Sequence, residues 1–180
     1  MTTTELSFSH HNGYTPPVGP TVAAAAALVR RIGADADLWE ELVRYGEGDE
    51  RWFERLFLDP EHDIWLIAWL PGQSTGLHDH GEALGAFTVV RGTLTETTVH
   101  PRRPRDLNSG LEPVDVVRRQ IHEGRVRGFG YEHIHDVGNF GTEPAVSIHA
   151  YAPELTAMTQ YVLEDDRLRV VASERAGVNW

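Results

Sequence analysis

Two histidines separated by one residue, His78 and His80, are the first candidates for chemistry in this sequence. In a β-strand the side chains at positions i and i+2 point to the same face, so both imidazoles can reach one metal ion. The chain has 10 histidines in 180 residues, and about 0.5 such pairs are then expected by chance, so the pair alone is weak evidence. The glycines from Gly72 to Gly92 and the apolar run 86–90 favour a metal-binding hairpin.

A second group of candidates, Ser147, His149 and Tyr151, occupies alternate positions among apolar residues. One face of this predicted strand is therefore polar and reactive, and the other is apolar. A polar face on a late strand is commonly the solvent face. In a small barrel that encloses a metal the polar face points inward instead. The residues of this segment alone leave both readings open.

A third metal ligand can come from His133 or His135, which share one strand face. His135 is followed four residues later by Asn139, a spacing that favours it over His133. The chain has no cysteine, which excludes disulfides and thiolate ligands. Any metal must therefore be held by histidine, aspartate or glutamate.

The glycine and histidine spacings resemble the two sequence motifs of the cupin superfamily. Gly85 departs from the first motif, because cupins usually place a metal-binding glutamate at that position. The proline and glycine expected at the start of the second motif are also absent. The matching residues are Gly72, His78, His80, Gly85 and Gly92 for the first motif, and His135 and Asn139 for the second.

Together with segment 142–153, these motifs resemble the cysteine dioxygenase family of thiol dioxygenases over residues 52–161. The resemblance implies an Fe(II) ion bound by three histidines, a hydrogen-bonded Ser-His-Tyr set, and an arginine that pairs with the substrate carboxylate. In this sequence the three roles fall on His78, His80 and His135, on Ser147, His149 and Tyr151, and on Arg55.

Two positions depart from the family pattern. Phe53 stands where the family has a tyrosine two residues before the arginine, which removes one substrate contact. Gly85 stands where many animal members have a cysteine that is cross-linked to the active-site tyrosine. The cross-link cannot form in this chain.

The resemblance implies that a small thiol is oxidised by O₂ to a sulfinic acid, with L-cysteine expected because Arg55 is present. Three neutral imidazoles leave the +2 charge of Fe(II) uncompensated, which favours an anionic thiolate ligand. Other small thiols, such as 3-mercaptopropionate or ergothioneine, are alternatives, although members that prefer 3-mercaptopropionate tend to have glutamine in place of the arginine. A non-catalytic cupin that binds a metal or small ligand is the alternative of another class, and it has no need of an ordered Tyr151 hydroxyl. A cupin isomerase or hydrolase is disfavoured because carboxylate ligands are missing.

The predicted secondary structure that positions these residues changes from helices to strands near residue 63. Three helices are predicted before it, at 21–32, from 35 or 37 to 46, and at 49–58. Short strands are predicted after it. They lie at about 64–70, 73–80, 84–91, 93–99, 114–121, 125–129, 132–137, 145–152, 157–163 and 167–173.

This order predicts a mainly β fold, a jelly-roll-like cupin barrel with N-terminal helices packed against it. We expect an extended arm at 1–20 and a single cupin domain at 21–180, with helices in 21–58, a barrel from about 62 to 173 and a solvated loop at 101–113.

The formal net charge of −11 and the absence of a basic run argue against nucleic acid and anionic membranes as partners. The sequence shows neither an apolar stretch of membrane-spanning length nor a secretion signal at its start. We therefore expect a cytoplasmic protein, a monomer or small homo-oligomer, whose partners are a small thiol and O₂.

Overall fold

The computed structural model describes residues 19–101 and 113–175. The predicted arm at 1–20 and the predicted loop at 101–113 lie almost wholly outside these ranges. Helix α1 covers Val22–Gly33 and confirms the first predicted helix. The Thr21 side chain caps it by accepting a hydrogen bond from the Ala24 backbone N–H at 3.1 Å. In the described residues no helix is long and apolar enough to cross a membrane.

The second predicted helix is wrong. Two short 3-10 helices, Ala36–Leu38 and Glu40–Leu42, occupy this stretch. The apolar residues that suggested one buried helical face do not share a face, because Trp39 is buried while Leu38 and Leu42 are exposed. Without a common buried face, a short helix has little to stabilise it.

The third predicted helix, at 49–58, is also wrong, because strand β1, Trp52–Leu58, occupies this segment. It pairs antiparallel with β2, Asp63–Trp69. Trp52 and Leu56 pack in a cluster that includes α1, whereas Phe53 packs in the cluster on the other side of the sheet. The apolar positions thus fit a strand with period 2 as well as they fit a helix. The barrel therefore begins at residue 52 rather than near residue 62.

The described residues form eleven strands in two antiparallel sheets. The five-stranded sheet has the order β1-β2-β9-β4-β7, and the six-stranded sheet has the order β11-β10-β3-β8-β5-β6. The predicted strand at 73–80 is reduced to two residues, while the later strands lie close to their predicted ranges. Beyond β1 and β2 the strands are β3 Leu77–His78, β4 Leu84–Arg91, β5 Thr93–Pro101, β6 Val114–His122, β7 Val126–Phe129, β8 Ile134–Gly138, β9 Ala145–Ala152, β10 Ala157–Glu164 and β11 Arg167–Arg175.

Two apolar clusters lie on opposite faces of the five-stranded sheet. The outer cluster joins the sheet to α1 through Ala25 and Val29. Gly128 permits this contact, because a Cβ there would lie 2.5 Å from Val22 Cγ1. The inner cluster contains Trp65, Trp69, Phe87, Phe129 and Tyr151 and fills the space between the two sheets. The mainly β barrel with a helix packed against it is confirmed, and the inner cluster surrounds the candidate site.

Candidate metal centre

Three histidines converge inside the barrel. His78 on β3 lies directly opposite His135 on β8, and His80 lies in the loop that follows β3. Their exposed fractions are 3%, 2% and 1%, respectively. One ring nitrogen of each lies within 4.8 Å of those of the other two. The structure therefore brings together the three residues predicted as ligands.

Hydrogen bonds set the protonation of two of these rings. The Nδ1 atom of His78 lies 3.0 Å from the Gly76 carbonyl oxygen. The Nδ1 atom of His135 lies 3.1 Å from a carboxylate oxygen of Glu96. Both oxygens can only accept, so each Nδ1 carries the proton and each Nε2 keeps a free lone pair. The ring centroids are 4.9 to 5.0 Å apart, which places three imidazoles around a common point.

The chemistry of these donors fits a bound metal ion. Both ring nitrogens of His80 are buried without a hydrogen-bond partner among the described residues, and a metal would satisfy one of them. Burial, followed by the charges of neighbouring histidines, lowers the pKa of His80 well below its ordinary value. Burial is also the first cause of the lowered pKa values of His78 and His135. The three rings are therefore neutral near neutral pH, as metal ligands must be.

Asp79, between the first two histidines, fixes the short His-Asp-His segment to β10. Its Oδ1 accepts from the backbone N–H groups of Gly81 and Thr159, each at 3.1 Å. Its Oδ2 accepts from the Tyr161 hydroxyl at 2.7 Å. These bonds hold the chain where β3 has only two residues, so that the His80 ring can lie beside those of His78 and His135.

We expect Asp79→Ala to destabilise the fold, because it removes the acceptor of two backbone donors and one hydroxyl. The expected loss in the free energy of unfolding is about 1–3 kcal/mol, measured by urea denaturation of the metal-free protein. Asp79→Asn is the matched control, since its amide oxygen can keep part of the bonding. An alanine variant as stable as the parent would show that Asp79 does not anchor the segment.

The polar face of β9 points into the barrel. Ser147 and His149 are buried, and Ser147 Oγ lies 2.8 Å from His149 Nε2. The indole N–H of Trp69 donates to Ser147 Oγ at 2.9 Å, so the serine hydroxyl proton is available to His149. Burial lowers the pKa of His149 to about 3, with smaller contributions from His135 and Arg51. His149 is therefore a neutral imidazole, held in place by the two hydrogen bonds that link Trp69, Ser147 and His149.

Tyr151 lies next to both groups. Its ring centroid is 5.4 Å from that of His80 and 6.3 Å from that of His149. Burial first, and then the negative charge of Asp63, raise the pKa of Tyr151. The phenol therefore stays protonated and can act as a hydrogen-bond donor beside the three histidines.

Gly85 leaves room for an aromatic ring at the site. A Cβ at this position would lie 2.5 Å from the Ala150 carbonyl oxygen and 2.7 Å from the Phe129 ring. The Phe129 ring stacks on His80, with centroids 4.4 Å apart. Phe129 thus occupies the space that a longer side chain at position 85 would need.

Comparison with known proteins agrees with this architecture. The family model of cysteine dioxygenase type I matches residues 19–164. The chain belongs to this family. It is similar to "Cysteine dioxygenase type 1" of Danio rerio, with 24% identity over 119 residues, which cover 63% of this chain and 58% of that protein. The chain thus matches little more than half the length of this curated relative.

Solved structures of oxalate oxidase have a fold similar to that of this chain. Recombinant oxalate oxidase in complex with glycolate is 15% identical, with a TM-score of 0.51, over 65% of this chain and 59% of that chain. A second oxalate oxidase structure is 16% identical, with a TM-score of 0.51, over 69% of this chain and 63% of that chain. At this identity the likeness concerns the fold alone.

Arg55, which the cysteine dioxygenase pattern places at the substrate carboxylate, is ion-paired in this structure. Its Nε lies 3.0 Å from Asp63 Oδ1, and its Nη2 lies 3.5 Å from Glu154 Oε1. The guanidinium also lies 4.5 Å from the Trp65 ring centroid. Asp63 is fully buried, whereas the Glu154 side chain is 45% exposed, so Glu154 is the partner that is easier to replace.

Arg51, which precedes β1, is a second arginine near the site that sequence reasoning missed. It donates to the Ser74 carbonyl oxygen, and its guanidinium lies 5.3 Å from the Trp69 ring centroid. Among the described residues it has no ion pair. Burial lowers its pKa, against the effect of Tyr151 and Asp136. Arg51 lies four residues before Arg55, and in an extended chain the two side chains share one face. This spacing could have identified Arg51 from the sequence.

His133, the rival third ligand, faces a carboxylate. Its Nε2 lies 3.3 Å from Glu96 Oε1, the same oxygen that His135 Nδ1 contacts. Glu96, His133 and His135 form a second group whose ligand atoms lie within 4.8 Å of one another. Sequence reasoning missed Glu96, although a single acid in the run Thr93 to Thr98 is a visible irregularity on a predicted strand.

Proposed function

We propose that this protein is an iron-dependent thiol dioxygenase that oxidises L-cysteine with O₂ to cysteine sulfinate. The observation that carries the proposal is the buried trio His78, His80 and His135 beside the Tyr151 phenol. The family match supports the reaction type, and the neutral imidazoles support a divalent metal. The substrate and the identity of the metal are part of the proposal.

In this proposal some residues of the chain bind the metal and others hold or donate protons. His78, His80 and His135 would hold Fe(II), which when bound supplies open positions for the thiolate and O₂. Tyr151 stays protonated and offers its hydroxyl to a ligand at those positions. Trp69, Ser147 and His149 hold one another in a fixed hydrogen-bonded chain next to it. The buried aromatic residues of the inner cluster keep bulk water from the site.

We assign the substrate carboxylate to Arg55, by the family pattern. In the proposed complex the carboxylate replaces Glu154, which lies at 3.5 Å on the exposed side, while Asp63 keeps the guanidinium in place. A carboxylate bound by two guanidinium N–H groups is fixed in orientation as well as in affinity. Phe53 packs edge-on against Trp65, with ring centroids 5.7 Å apart, so the hydroxyl of the family's tyrosine has no counterpart.

A small carboxylated thiol other than cysteine is the second candidate. Arg51 favours it, because a cation without an ion pair among the described residues can bind a carboxylate placed differently from that of cysteine. 3-Mercaptopropionate and ergothioneine both carry a carboxylate and sulfur. The first lacks the amine of cysteine, and the second has a trimethylated amine and carries its sulfur on an imidazole ring.

Oxygen uptake by the Fe(II)-loaded protein tests the proposal. L-cysteine, 3-mercaptopropionate, ergothioneine and cysteamine are supplied separately, and products are identified by mass spectrometry with ¹⁸O₂. We expect L-cysteine to give the highest kcat/KM and a sulfinic acid that carries two labelled oxygen atoms. A higher kcat/KM for another thiol would reassign the substrate. Tight metal binding with no thiol-dependent oxygen uptake would favour a non-catalytic binding cupin instead.

A further inference from the structure

We propose that Glu96 is a positioning residue for the metal centre, which fixes His135 in its metal-binding tautomer and is itself held by Arg127 and His133. The proposal rests on the metal site of the proposed function but not on its substrate. Glu96 projects from β5 next to β8, and its side chain is only 1% exposed. A buried carboxylate is costly unless charge and hydrogen bonds compensate it.

Three side chains surround this carboxylate. The Nε–H of Arg127 donates to Oε2 at 2.7 Å. The other oxygen, Oε1, lies 3.1 Å from His135 Nδ1 and 3.3 Å from His133 Nε2. An arginine N–H and two imidazole nitrogens thus face the two oxygens of Glu96, and they compensate the burial of a negative charge. Glu96 is therefore a carboxylate and can only accept hydrogen bonds.

The direction of these hydrogen bonds assigns different tasks to the two histidines. His135 donates through Nδ1, so its Nε2 is left for the metal. His133 donates through Nε2, so that nitrogen is used up on Glu96, and its ring stacks on Phe129 with centroids 5.5 Å apart. His133 thus supports the carboxylate, whereas a ring nitrogen of His135, and none of His133, groups with those of His78 and His80.

The negative charge behind His135 should strengthen it as a ligand. A carboxylate bonded to the second nitrogen of a metal-binding imidazole raises the basicity of that imidazole, and its removal typically lowers metal affinity by about 10- to 100-fold. His78 has only a neutral carbonyl at the equivalent place, and His80 has no partner among the described residues. The charge compensation of the site therefore comes through His135 alone among the three.

Glu96→Gln tests the charge with little change of shape. We expect the affinity of the metal-free protein for Co(II), measured by titration of its visible absorption, to fall about 10- to 100-fold. The glutamine oxygen can still accept from Nδ1, so ¹⁵N NMR of the metal-free protein should show His135 still protonated at Nδ1. Glu96→Leu should lose both the affinity and the single tautomer. Glu54→Gln, on the exposed side of β1, is the matched control.

If the Glu96 variants do not fold, Arg127→Gln tests the role of Glu96 instead, because the Arg127 side chain is 32% exposed. It should lower Co(II) affinity in the same direction, and Arg127→Lys should restore part of it. Unchanged affinity in folded Glu96→Gln or, failing that, in Arg127→Gln would overturn the proposal. Two Co(II) ions per chain would also overturn it, since Glu96, His133 and His135 would then be a second metal site. Retention of metal by His135→Ala would instead count against the metal site of the proposed function.

Discussion

His135→Ala is expected to abolish Fe(II) loading, whereas His133→Ala retains it. His135 lies opposite His78 in the β3–β8 pair and is 2% exposed, so its loss leaves two imidazoles, too few for a stable site. The His133 Nε2 atom is directed at Glu96 instead. The loss of His133 should therefore weaken metal binding only indirectly, through the hydrogen bond that it donates to Glu96.

Iron per chain after anaerobic reconstitution and desalting is the measurement, with thermal unfolding to verify that both variants are folded. His100→Ala provides a histidine control on β5, where His100 bonds to Thr98 rather than to the site. If His133→Ala lost its iron while His135→Ala kept it, the ligand set would have to be rebuilt around Glu96 and His133.

The fold could be predicted from the sequence where the spacing of apolar residues and the residue composition indicated the same secondary structure. Residues 64–69 are apolar on both faces and rich in β-formers, and they lie in the buried strand β2. Residues 52–58 could not be assigned in this way. Trp52, Phe53, Leu56 and Phe57 fit the helical period, and they also fit a strand that is apolar on both faces. Only the pairing with β2 distinguishes the two, and a local pattern does not contain it.

The candidate site was predictable where its residues lie two apart in the sequence. Ser147, His149 and Tyr151 share β9 and follow the i, i+2 rule, whereas His78 ends β3 and His80 lies in the loop after it. Glu96 and Trp69 were missed because their contacts join strands distant in the sequence. Glu96 meets His135 across the β5–β8 pair, and Trp69 meets Ser147 across the β2–β9 pair. The register that brings them together follows from the closed barrel.

Arg55→Ala is expected to raise KM for L-cysteine about 10- to 100-fold while leaving KM for cysteamine nearly unchanged. The expected size is that of hydrogen bonds to a charged group, about 1.5–3 kcal/mol. Cysteamine keeps the thiol and the amine of cysteine but has no carboxylate, so it cannot use the arginine. Steady-state oxygen uptake with both thiols measures the effect as a ratio of kcat/KM values.

The ratio matters because Arg55 also has a structural role. Its removal leaves the fully buried Asp63 without its charge partner, and the pKa of Asp63 is already raised, mainly by burial. Some loss of folded protein is therefore expected, but it lowers the rates with both thiols equally and cancels in the ratio. Arg51→Ala is the comparison four residues away on the same face. If the selective loss for cysteine occurs in Arg51→Ala and not in Arg55→Ala, the carboxylate binds Arg51, and Arg55 serves only to neutralise Asp63.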